Sequence, residues 1–147
     1  MIALVQRVSS SAVSVRNEEV AHISRGFNVL LGVLKGDGRE DIDKLVSKLV
    51  NLRIFADEDG KMNRSIVDIG GEALVISQFT LAANVKKGRR PGFENAMQAD
   101  EAKGLYDLFC TELSRYISVE KGVFGAMMDV EIHNDGPVTL IVDSREF

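Results

Sequence analysis

Ser77, Gln78 and Thr80 stand within one short segment, Ser77-Gln78-Phe79-Thr80-Leu81, directly after the apolar run Ala73 to Ile76. Four cations, Lys86, Lys87, Arg89 and Arg90, follow closely. Hydroxyls, backbone amides and positive charge therefore converge where a strand hands over to a loop. Ester cleavage needs hydrogen-bond donors aimed at the oxyanion that develops on the carbonyl, and backbone N–H groups at a strand end supply them without a charged side chain. Thr80 is an alternative nucleophile, but its hydroxyl needs an adjacent base, and the sequence names none. A Ser/Thr pair after a strand is also an ordinary way to begin a loop. The second segment is Asn134-Asp135-Gly136-Pro137-Val138-Thr139. A Gly-Pro bond prefers trans by only about 0.5–1 kcal/mol, so tertiary contacts select its isomer. Gly136-Pro137 is either a rigid outward probe of backbone carbonyls or a plain turn that opens the next strand.

The common catalytic engines are missing. His22 and His133 lie far apart without metal-ligand spacing, and there is no Gly-x-Ser-x-Gly elbow, Walker loop or Gly-x-Gly-x-x-Gly loop. The acidic cluster Asp57-Glu58-Asp59-Gly60-Lys61 is no EF-hand, because its glycine falls fourth and no glutamate closes a twelve-residue loop. Net charge is −4. The basic cluster carries +4 of it, which leaves −8 on the rest of the chain. A local cationic spot on an acidic body suits a few phosphates or a solvated loop, and no broad basic face for DNA is present.

The elements that position these segments follow from apolar spacing. Ile2 to Val8, Ala12 to Val15 and Val20 to Ile23 read as a strand and a hairpin, and Phe27 to Leu34 as a buried strand. Ile42, Leu45, Val46, Leu49 and Val50 follow i, i+3, i+4, i+7, i+8 and predict a helix over about Glu40 to Asn51. Arg53 to Phe55 and Ala73 to Ser77 are further strands. An apolar stripe from Met97 to Ile117 predicts one long or broken helix over about Asn95 to Ile117. Val123-Phe124, Met127 to Ile132 and Thr139 to Val142 complete a β-rich C-terminal third, the last two joined by the Asn134 to Pro137 turn. The expected fold is α+β, a single domain over residues 1–147: a curved, mostly antiparallel sheet or partial β-barrel with two packed helices. No apolar run reaches the roughly 18 residues of a membrane span. A lone cysteine, Cys110, forms no intrachain disulfide and fits a reducing compartment. The chain is therefore placed in the cytoplasm.

Six ordered motifs then carry a resemblance that runs almost end to end. They are Gln6-Arg7-Val8-Ser9, Asn51-Leu52-Arg53-Ile54-Phe55 with Gly60-Lys61-Met62-Asn63, Ser77-Gln78-Phe79-Thr80-Leu81, Lys87-Gly88-Arg89-Arg90-Pro91, Phe124-Gly125-Ala126 with Met128, and Asn134 to Thr139. Together they resemble the D-aminoacyl-tRNA deacylase family. The match is loosest at Gly36-Asp37-Gly38-Arg39 and at Gly92, where a serine is expected after the proline.

The resemblance implies a homodimer that hydrolyses the ester joining a D-amino acid, or glycine mischarged on tRNA(Ala), to the 3′ end of tRNA. It implies no metal and no organic cofactor, and no membrane partner. Ser77, Gln78, Phe79 and Thr80 would line the site for the terminal adenosine and aminoacyl group. Gly136 and Pro137 would form a cis dipeptide reaching into the partner subunit's pocket, where its carbonyls exclude an L side chain. Lys86, Lys87, Arg89 and Arg90 would take acceptor-stem phosphates. Two accounts of the chemical step stay open: Thr80 as nucleophile, or the 2′-hydroxyl of the tRNA assisting water beside backbone amides. The second is preferred, since it explains the missing histidine, carboxylate dyad and metal cluster.

Overall fold

The computed structural model describes residues 1–86 and 88–147. A 14-residue strand, β1 (Ile2–Val15), runs through the middle of the sheet. Its first half pairs antiparallel with β3 (Gly26–Gly32), from Ile2↔Gly32 to Val8↔Gly26. The second half pairs with β2 (Glu18–Ile23), and β8 (Asp129–Asp143) runs antiparallel along the other edge. Beyond β3 lie β6 (Glu72–Ser77) and β7 (Ser118–Lys121), both parallel to their neighbours. Parallel neighbours need long crossovers. Here the crossovers contain the two helices, α1 (Arg39–Asn51) between β3 and β6, and α2 (Ala99–Leu113) between β6 and β7. The hairpin of β4 (Phe55–Ala56) and β5 (Met62–Arg64) sits within the first crossover. Its turn is the acidic cluster, where Asp57 accepts the backbone N–H groups of Asp59 and Lys61 at 3.0 and 2.9 Å.

Strand periodicity explains the two layers of apolar packing. Ala3, Val5, Phe27, Val29, Leu31, Ala73 and Val75 project to one face of the sheet. The stripe Ile42, Leu45, Val46, Leu49 and Val50 of α1 and the Tyr106, Phe109 and Leu113 face of α2 cover them. On the opposite face Val8, Val13, Ala21, Ile23, Leu74 and Ile76 form a second cluster as β1 curls and the sheet nearly closes on itself. β6 is buried on both faces, which is why Ala73-Leu74-Val75-Ile76 is continuously apolar. The expected α+β fold, with a curved barrel-like sheet and two packed helices, is the fold observed; its β6 and β7 side is parallel.

Several expected boundaries shift. The second helix starts at Ala99 instead of Asn95, because Ala96 bridges Leu34 and Met97 N–H bonds Val33 in extended backbone. It ends at Leu113, before a turn over residues 114–116. The strand expected at Val123-Phe124 lies at Ser118–Lys121, an edge strand with little apolar signal. Val123 to Ala126 is a turn, with Ala126 N–H donating to Val123 O at 3.1 Å. The two strands expected at Met127 to Ile132 and Thr139 to Val142 are one strand, β8, and residues 134–137 do not reverse the chain. They form an excursion. The step from Gln6 to Val8 on β1 faces the longer step from Thr139 to Asn134 on β8, which is a bulge of an unusually large kind.

Candidate active site

β6 ends at Ser77, and the chain turns at once into a 3-10 turn, Phe79–Ala82. Gln78 N–H is the last bond to β3, donating to Leu31 O at 2.8 Å. Gly32 makes the turn possible: a Cβ there would stand 2.9 Å from the Leu81 Cβ and 3.1 Å from Gln78 O. The segment therefore lies flat against the end of β3. Leu81 N–H bonds Gln78 O and Ala83 N–H bonds Thr80 O. The Phe79 and Thr80 N–H groups find no acceptor among the described residues. They stand at the first turn of a helical segment, where orphan donors are expected.

Beside these donors opens a cleft of about 730 Å³. Ser77, Gln78, Phe79 and Thr80 form one wall, and Phe124 to Met128 form another. Its floor is apolar, with Leu31, Val33, Met97 and Ala102 among its residues. Tyr106 is the sole titratable side chain among the described residues that line it. The Tyr106 hydroxyl is spent: it donates to Val75 O at 2.8 Å, and burial raises its pKa. The ring packs on Phe124, centroids 5.6 Å apart. Thr80 is exposed, and its hydroxyl accepts a hydrogen bond from Gln78 Nε2. No general base faces it in this wall. The chemistry available is a preorganised set of neutral donors on an apolar floor.

Gly136 and Pro137 are exposed and do not line this cleft of their own chain. The bond between them is cis, and Gly136 has φ +138°, a conformation that favours glycine. Two side chains clamp the excursion. Asn134 Oδ1 accepts Val138 N–H at 2.8 Å, while its Nδ2 donates to Thr139 Oγ1 at 3.0 Å. Arg7 reaches across from β1: Nε donates to Asp135 O at 2.9 Å and Nη1 to Ile54 O at 2.6 Å. Its guanidinium also lies 3.4 Å from the Asp135 carboxylate, and the side chain is 12% exposed. Sequence reasoning missed this role of Arg7. An arginine within an apolar strand was the available signal, since a nearly buried guanidinium has to be paired.

The basic loop sits apart from the floor of the cleft. Lys86 and Arg90 line a second hollow of about 400 Å³ with Asn84, Gly92 and Glu94. Arg89 is exposed but does not line it, and Lys87 lies outside the described residues. Glu94 accepts from Asn84 Nδ2 at 2.8 Å, and this bond holds its carboxyl below the usual range. The structure thus gathers Ser77 to Thr80 in one cleft, sets the cations on a neighbouring loop, and puts Gly136-Pro137 elsewhere on the surface.

The model of the D-Tyr-tRNA(Tyr) deacylase family matches residues 4–143. A D-aminoacyl-tRNA deacylase of Persephonella marina is 61% identical over 145 residues, covering 99% of each chain. One of Aquifex aeolicus is 58% identical over 147 residues, with the same coverage. Among solved structures, a c-Myc DNA Unwinding Element Binding Protein superposes with TM-score 0.93 at 41% identity, covering 97% of this chain and 98% of that one. A probable eukaryotic D-amino acid tRNA deacylase matches at TM-score 0.82 and 21% identity, over 97% and 98% of the two chains, which speaks to the fold alone. With an end-to-end match in sequence and an apolar, donor-lined cleft at the Ser77 to Thr80 segment, the chain belongs to the D-aminoacyl-tRNA deacylase family and is a hydrolase of that family.

Proposed function

We propose that the protein removes D-amino acids, and glycine mischarged on tRNA(Ala), from the 3′ end of tRNA, and spares L-aminoacyl esters by steric exclusion across a homodimer. The observation that carries the reading is the separation of two structures within one chain. The cleft holds donors and an apolar floor, whereas the clamped Gly136-Pro137 excursion is exposed and does not line it. A second subunit brings the excursion of one chain to the cleft of the other. A partly exposed apolar row supports that pairing: half-buried Leu4 lies between half-buried Leu30 and Ile141 in the sheet, and Ile141 is 70% exposed. Exposed apolar surface of this kind marks an association face.

Rejection by clash needs no pocket for the side chain. One enantiomer is turned away and glycine passes, with wide tolerance of side-chain type. In the chemical step, water adds to the ester carbonyl and the oxyanion takes the Phe79 N–H, while Gln78 positions the substrate. Collapse breaks the bond between acyl carbon and 3′ oxygen, and that oxygen takes up a proton. The neighbouring 2′-hydroxyl of the tRNA assists the water, which suits a cleft whose one titratable group among the described residues is already engaged. Lys86, Arg89 and Arg90, with Lys87, hold acceptor-stem phosphates. The compartment follows from the substrate, which places the protein in the cytoplasm.

Sedimentation velocity combined with deacylation of glycyl-tRNA(Ala) and L-tyrosyl-tRNA tests the scheme. A dimer that clears the glycyl ester and leaves the L ester intact is expected. A strict monomer that still spares the L ester would overturn selection across subunits.

A further inference from the structure

Phe93 is the residue at which the basic loop returns to the catalytic segment. Its ring packs against that of Phe79, centroids 4.9 Å apart and planes tilted by 59°. Phe79 is itself 58% exposed, and Phe93 is the aromatic partner of its ring among the described residues. The Phe79 N–H has no acceptor of its own among the described residues, so its direction is set by the turn on which Phe79 sits.

The chain around Phe93 is pinned at both ends. Two residues after the 3-10 turn, Asn84 pairs with Gly92 by reciprocal backbone bonds, Asn84 N–H to Gly92 O at 2.7 Å and Gly92 N–H to Asn84 O at 2.9 Å. The bridge closes the base of the basic loop, and the Asn84 to Glu94 side-chain bond reinforces it. On the far side, Lys35 N–H bonds Asn95 O at 2.9 Å and Met97 N–H bonds Val33 O at 3.1 Å, tying the segment to the end of β3. Phe93 therefore stands between two fixed points, next to the hollow that Lys86 and Arg90 line. Its position is set by backbone pairing, and its ring transmits that position to Phe79.

We propose that Phe93 is a positioning residue: its ring holds the Phe79 backbone N–H in register for the developing oxyanion and couples that register to the loop bearing Lys86 and Arg90. The inference rests on the reading of Phe79 N–H as the group that serves the substrate. Packing of an aromatic pair is directional as well as apolar, so tyrosine preserves the contact and leucine does not.

The test compares Phe93→Leu and Phe93→Tyr with the wild-type protein in two measurements. One is single-turnover and steady-state deacylation of D-tyrosyl-tRNA; the other is amide hydrogen exchange in the free protein at Leu81 and Ala83, whose N–H bonds to Gln78 O and Thr80 O hold the turn. F93L is expected to lower kcat by about tenfold with KM within about twofold, since a misplaced donor weakens the transition state more than the ground state. It is also expected to speed exchange at Leu81 and Ala83, with exchange within β6 unchanged. F93Y restores both. Wild-type kcat in F93L, or a fall in kcat without faster exchange at Leu81 and Ala83, overturns the proposal. A wild-type protein that leaves D-tyrosyl-tRNA intact would instead defeat the functional reading, and the exchange comparison would still decide whether Phe93 orders Phe79.

Discussion

Replacing Thr80 by alanine separates the two accounts of the chemistry by orders of magnitude. In the structure the Thr80 hydroxyl is exposed and accepts one hydrogen bond, from Gln78 Nε2. Removing it leaves that amide donor free to bond water, so the net loss is that of an ordinary exposed hydrogen bond, about 0.5–1.5 kcal/mol. Even if all of it appeared in the transition state, the rate would fall by about two- to twelvefold. The loss of a true hydroxyl nucleophile is of another size, about 10⁶-fold in the best studied serine hydrolase. Single-turnover decay of D-tyrosyl-tRNA, with enzyme in excess, measures the chemical step directly. We expect T80A to keep at least about a tenth of wild-type activity and no acyl-enzyme to accumulate. A loss beyond about 10⁴-fold, or an ester trapped on Thr80 in the wild-type protein by acid quench and mass spectrometry, would refute the account in which backbone donors and the tRNA hydroxyl suffice.

Three further outcomes follow from other parts of the molecule. Arg7→Ala removes the brace between Ile54 O and Asp135 O; it should cost about 2 kcal/mol of stability in urea unfolding and lower the preference for D over L esters about tenfold as the Gly136-Pro137 excursion loosens. Lys86→Ala with Arg90→Ala should reduce the slope of log K against log salt for tRNA binding by about 1.4–1.8, two phosphates' worth, with D over L preference unaltered. Burial pushes the Cys110 thiol up to about 12. The folded protein keeps that proton while the unfolded chain loses it near pH 9, so stability is full below about pH 9 and falls as pH rises towards 12. The urea midpoint across that range should decline less steeply in Cys110→Ala.

How far the sequence disclosed this molecule depends on the type of signal. The face of α1 was legible to within a residue because five apolar positions repeat at helical spacing and all five are buried. β6 was legible because its residues are apolar on both faces. The C-terminal third misled where apolarity serves the cleft instead of a strand: Phe124 packs on Tyr106 as cleft wall, while the true strand Ser118–Lys121 is polar at the sheet edge. Gly136-Pro137 looked like a reversal because glycine and proline usually mark one. Long pairing of β8 with β1 on either side of the excursion keeps the strand straight, and no local pattern encodes that contact. The Ser77 to Thr80 segment was legible as a strand end with donors. That the Phe79 and Thr80 N–H groups lack acceptors among the described residues, and that Phe93 comes back to cover Phe79, arises from contacts between separate segments.

The central claim is that the cleft judges the hand of the amino acid, and the ratio of D- to L-tyrosyl-tRNA deacylation tests it most directly. Both esters are followed on the same tRNA, with enzyme in excess and an enzyme-free control. The account predicts rapid loss of the D ester and decay of the L ester at the spontaneous rate. Comparable enzymatic loss of both, or faster loss of the L ester, would contradict it.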